Sequence, residues 1–162
     1  MSDDLDRRLD AAITRGQRRN RMHKEAERKE QLSADELRRM HTSHRLALSE
    51  HIETAVARLA NHFPGFRVET LFGEKGWGAA CWRDNLDVKG GRRNSLFSRL
   101  ELVIRPINDY FVLELKGKGT VANKEIFNRS HFEHLQEVDR ESFEQLIDAW
   151  VVEYAELYSA SE

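Results

Sequence analysis

A chain of 162 residues with a formal charge of −2 suits one compact domain plus an extension, and has no global attraction for nucleic acid or anionic membrane. With 33% charged residues and no long apolar run, a transmembrane helix is excluded. Cys81 is the only cysteine, so no intrachain disulfide forms; the opening, MSDDLDRRLD, also lacks the basic-then-apolar order of a secretory signal, and a reducing, cytoplasmic location is expected.

Residues 3–30 read as a charged helix with little apolar surface, and residues 1–32 are assigned to a helical extension. Leu5, Leu9, Ala12 and Ile13 make a short stripe that Gly16 interrupts. From Arg15 to Lys24 the chain runs RGQRRNRMHK, basic with no acid. Arg18, Arg19, Arg21 and Lys24 are therefore candidates for contact with nucleic acid or an acidic partner. The competing reading is a solvated helix face balanced by Glu25, Glu27 and Glu30.

Ser33 and Glu36 have capping-box spacing, which predicts a second helix from there to about His62, stopped by Phe63-Pro64-Gly65. Leu37, His44, Leu48, His51 and Ala55 share a face at nearly heptad spacing, so they are the candidate partner-binding stripe. His41, His44 and His51 also raise a metal site, since His41 and His44 are one turn apart. Zinc wants four ligands, however, and no Asp, Glu or Cys joins them at helical spacing, so no metal is expected. Two readings remain: a pH-sensitive subunit seam, or rings flanking the core with their nitrogens wet.

Phe66 to Phe72 alternates as a first strand, Gly73 to Gly76 is a turn, and Trp77 to Arg83 is the returning strand. The glycines here do not make a phosphate loop, because strand rather than a helix N-terminus follows them. Cys81, between alanine and tryptophan, reads as a small core residue with no local group to activate it. DNLDVKGGRRN, residues 84–94, is expected to be a loop with a basic tip; Lys89, Arg92 and Arg93 add to the nucleic-acid or anion candidates.

The organising element is SLFSRLELVIRPINDYFVLELK, Ser95 to Lys116. Leu96, Leu100, Leu102 and Ile104 fall at every second position, and Phe111, Leu113 and Leu115 do the same after the Asn108-Asp109 turn. Charged residues occupy the other face: Arg99, Glu101 and Arg105, then Glu114 and Lys116. With Glu69, they are expected to pair across strands. A hairpin with one apolar face needs a cover. The helix predicted from Asp139 to Tyr158 supplies it: Phe143, Leu146, Ile147, Trp150, Val151, Tyr154 and Leu157 recur at spacings of three and four. Between hairpin and helix, Ile126, Phe127, Phe132 and Leu135 anchor a fifth strand or an irregular connection, with Asn123, Lys124, Asn128, Arg129, His131 and His134 around them.

Together these elements define an α+β fold of two layers over residues 33–162: an antiparallel sheet of four to five strands covered by the C-terminal helix, with a long N-terminal helical extension. No catalytic constellation and no cofactor motif is present in the sequence. The expected function is a non-catalytic interaction or adaptor module, homodimeric or bound to a protein partner through its N-terminal helices. The first alternative is a nucleic-acid-binding accessory protein using residues 15–24 and 89–93. The second is a small-ligand site or enzyme near Cys81 or Asn128 to His131.

Overall fold

The structure, a computed structural model, describes residues 2–89 and 91–161. Contacts divide the chain into two compact units, one ending at Arg38 and the next beginning at Arg39. Helix α1 (Ser2–His62) forms the first unit and continues into the second. The expected break before Ser33 is absent. Capping-box spacing is also the i, i+3 spacing of neighbours on one helix face, and nothing in QLSADEL excludes helical dihedrals. Gly16 costs about 1 kcal/mol relative to alanine, which the surrounding Arg, Ala, Leu and Glu outweigh.

The second unit is an antiparallel meander in the order β1 (Arg67–Leu71), β2 (Trp77–Lys89), β3 (Arg92–Ile104), β4 (Val112–Val121) and β5 (Lys124–His134). A single 3-10 turn, Leu135–Glu137, leads into helix α2 (Arg140–Ser161). Over residues 84–89 and 92–94 the expected loop is instead strand. Lys89 pairs with Arg92 and Asp84 with Phe97, so the two strands stay paired out to these positions, and Gly91 has a φ of 78°. Its polar composition misled because Leu86 and Val88 alternate with polar residues while remaining 71% and 65% exposed.

The β4–β5 connection is equally tight. Ala122 and Asn123 have φ of 48° and 70°, the left-handed pair that a primed hairpin turn requires. Asn123 then ties the turn to β3. Its side-chain oxygen accepts from Phe97 N at 2.8 Å, and its amide donates to the Ser95 carbonyl, also at 2.8 Å.

Leu100, Leu102, Ile104, Leu113 and Leu115 share the inner face and are fully buried. The expected C-terminal cover is α2. Asp139 Oδ1 accepts from Glu141 N at 3.2 Å, capping the first turn, and Phe143, Ile147, Trp150, Val151, Tyr154 and Tyr158 are buried. Leu157, expected on this stripe, is 38% exposed; Tyr158 takes its place and meets Phe63 and Phe66 edge-on at 5.0 and 4.9 Å. Leu48, Ile52, Val56 and Leu59 of α1 complete the same core. Each large side chain buried there contributes about 1.5–3 kcal/mol. Among the described residues, no helix is long and apolar enough to cross a membrane.

Candidate interaction surfaces

Every residue of α1 from 3 to 30 is exposed. Leu5, Leu9 and Ile13, at successive spacings of four, are 57%, 49% and 56% exposed and form one apolar line. Arg18, Arg19, Arg21 and Lys24 are exposed too, and none makes an ion pair with a described residue. At the tip of the β2–β3 hairpin Arg93 is exposed, whereas the side chains of Lys89 and Arg92 lie outside the described residues.

The residues of the candidate partner stripe differ in burial. Leu48 is fully buried, and Leu37, His44, His51 and Ala55 are half-buried. The histidines turn to three different partners. His41, 4% exposed, lies with Nε2 3.2 Å from the Arg105 carbonyl. His44 Nδ1 accepts from Arg140 Nε at 3.1 Å, and His51 Nε2 is 2.8 Å from Asp148 Oδ1. Burial is the main cause that lowers the pKa of His41 and of His44; Arg45 adds to it at His41 and Arg140 at His44. Among the described residues, no three His, Cys, Asp or Glu side chains converge as metal ligands.

Cys81 is fully buried, and burial pushes its thiol up to about 12. A thiol held so far from its thiolate is a poor nucleophile. The Asn128–His131 segment is split by strand alternation. Asn128 and Ser130 lie on the outer face, while Arg129 and His131 lie on the inner. Arg129 forks onto Glu153 at 2.9 and 3.2 Å and stands 4.4 Å over the Phe127 ring. His131 is edge-on to Phe143 at 5.2 Å. Both side chains therefore serve the seam between β5 and α2.

On the outer face the expected pairing across strands forms for Glu69 and Glu114, whereas Glu101 pairs along its own strand and Lys116 makes no ion pair with a described residue. Arg99 bridges Glu69 at 3.0 Å and Glu101 at 3.5 Å, and Arg105 lies 3.9 Å from Glu114. Two features escaped the sequence reading. One is a cleft of about 490 Å³ in the second unit, lined by Ala55, Leu59 and Phe63 on one side and Val151, Val152 and Ala155 on the other. The second is a gathering of Lys75, Arg105, Lys116 and Lys118 on the outer sheet face. Alternation alone puts Arg105 and Lys116 on that face, but the arrival of Lys75 and Lys118 beside them, from separate segments, depends on the strand register.

Fold and surfaces define an α+β protein whose sheet has one face covered by helices and one face bearing a charged lattice, with an exposed helical arm preceding it. The chain matches no protein-family model, and no curated protein and no solved structure matches it.

Proposed function

We propose that this protein is a non-catalytic interaction module that self-associates through the exposed helix of its first unit. The exposed line of Leu5, Leu9 and Ile13 carries this reading. A helix in water draws most of its stability from packing an apolar stripe, and residues 3–30 have no such packing within their own chain. A second copy supplies it.

Charge selects the orientation. Asp3, Asp4, Asp6 and Asp10 outnumber Arg7 and Arg8 and make the start of the helix net acidic, while Arg15 to Lys24 is basic without an acid. A parallel pair would align two basic runs. An antiparallel pair crossing near Ala12 and Ile13 instead sets each acidic start against the partner's basic run. It also places Leu9 over Gly16, where a Cβ would meet nothing within 4 Å. In this arrangement the basic run is engaged by carboxylates rather than by nucleic-acid phosphates. The free thiol of Cys81 fits the reducing, cytoplasmic setting proposed for it.

Cysteine trapping tests the orientation. Ala12→Cys is expected to give a disulfide-linked dimer on mild oxidation, whereas Arg19→Cys stays monomeric under reducing-free denaturing electrophoresis. Equal cross-linking at both positions would indicate a parallel pair and overturn the antiparallel reading. Cross-linking at neither would overturn self-association through this helix. Low-salt gel shifts of the wild-type chain separate the nucleic-acid reading, which requires binding that falls steeply with salt.

A further inference from the structure

The outer face of the sheet carries a polar cavity of about 230 Å³, enclosed on its floor by Val103, which is 4% exposed. Strand register builds its walls. Lys116 stands opposite Val103, Lys118 opposite Glu101, and Asn128 opposite Lys118. Lys75 comes from the turn between β1 and β2, and Arg105 from the residue that follows β3.

Three details decide what this cavity can take. Arg105 is held in place, because its Nη1 donates to the Lys75 carbonyl at 3.1 Å while Glu114 stands 3.9 Å from its Nε. Glu101, the one carboxylate in the lining, is drawn towards Arg99 at 3.5 Å, and Arg99 also holds Glu69. Lys75, Lys116 and Lys118 consequently have no carboxylate among the described residues within ion-pair distance. Four cations against one carboxylate leave the lining at 4 − 1 = +3. Like charges gathered over an apolar floor repel, and a multiply charged anion relieves that repulsion more than a single charge does.

From this arrangement we infer that the open sheet face is a binding site for a small, multiply charged oxyanion of the phosphate class. The cavity is below the roughly 300–1,000 Å³ of pockets for drug-sized molecules, so it holds the phosphate group and leaves any organic part at the rim. Lys116, Lys118, Lys75 and Arg105 supply charge, and the Asn128 amide supplies a directional donor. The site is independent of α1 and of how copies of the chain associate.

The test is calorimetric titration and thermal melting of the full chain with inorganic phosphate, glycerol phosphate, and potassium chloride at matched ionic strength. Phosphate is expected to bind saturably and, at a hundredfold excess over Kd, to raise the melting temperature by about 5 °C. The exposed-site double variant Lys116→Gln/Lys118→Gln should lose at least tenfold in affinity while melting like wild type in chloride. Lys124→Gln, outside the cavity, should bind as wild type does. Tighter binding of glycerol phosphate identifies a phosphate monoester as the ligand class, and tighter binding of inorganic phosphate identifies the free ion. An equal response to chloride, affinity retained in the double variant, or no saturable binding would overturn the site.

Discussion

Trp150 of α2 seats on bare backbone at Gly117 of β4: a Cβ on that glycine would stand 2.6 Å from the indole Cε3 and 2.8 Å from Leu102 Cδ2. A glycine inside a strand normally weakens it, but here its missing side chain is the space that the tryptophan fills. Leu102 lies directly opposite Gly117 in the ladder, so helix, ring and two strands meet at one point. Gly117→Ala is expected to destabilise the fold by about 1–3 kcal/mol, through displacement of the ring or of Leu102. Urea denaturation checks this, and an unchanged midpoint would show that the helix sits less closely.

Tyr154 fixes the same helix one turn further on. It is fully buried, and its hydroxyl donates to the Thr120 carbonyl at 2.8 Å. Burial, chiefly, raises its pKa, so the phenol stays protonated as a donor. Tyr154→Phe keeps the ring and removes the bond. The expected loss is about 1–2 kcal/mol in the same denaturation experiment, and no loss would mean that water replaces the bond.

Acid should weaken the second unit through its histidines. Burial lowers the pKa of His41 and His44 in the fold, whereas the unfolded chain titrates near the ordinary value of about 6.5. The unfolded state therefore binds the extra protons first. Stability is fully present above that value and is lost as pH falls through it towards the folded pKa values. Melting temperatures recorded from pH 8 down to pH 5 should decline below about 6.5, and His41→Gln should flatten the decline. A flat wild-type profile would contradict the burial of these rings.

Cys81 offers a probe of opening. With its side chain fully buried and the thiol pushed up to about 12, alkylation at pH 8 should proceed only when the sheet opens. Labelling by iodoacetamide is expected to be at least about a hundredfold slower in the native chain than in denaturant. Labelling at the rate of a free thiol would place Cys81 outside the core.

Local periodicity made much of this fold legible. Leu100, Leu102 and Ile104 alternate with Arg99, Glu101 and Arg105, broken only by Val103, because one face of β3 is covered by helices and the other is not, and Phe143 to Tyr154 recurs at helical spacing because one side of α2 meets the covered face. Asp139 was readable as a cap for the same local reason. The strands at residues 84–89 and 92–94 were not, since Leu86 and Val88 are exposed there and their alternation carries no burial signal. Nor does sequence reveal which partner a histidine chooses. His41 and His44 are close in the chain, yet one reaches the end of β3 and the other α2. The cation cavity needed the pairing of Lys116 with Val103 and of Lys118 with Glu101, which is information about register across β3 and β4. By contrast, the apolar line of Leu5, Leu9 and Ile13 was readable at once; that the fold leaves it exposed was not.

Light scattering coupled to size exclusion, run on the full chain and on Leu9→Asp across a range of concentrations, tests self-association most directly. Pairing through the first unit predicts twice the monomer mass for the wild-type chain and the monomer mass for Leu9→Asp, with identical melting of the second unit's sheet. A wild-type chain that stays monomeric up to about 100 μM, well above the micromolar dissociation constants of modest interfaces, would contradict it. So would a Leu9→Asp chain that keeps the dimer mass.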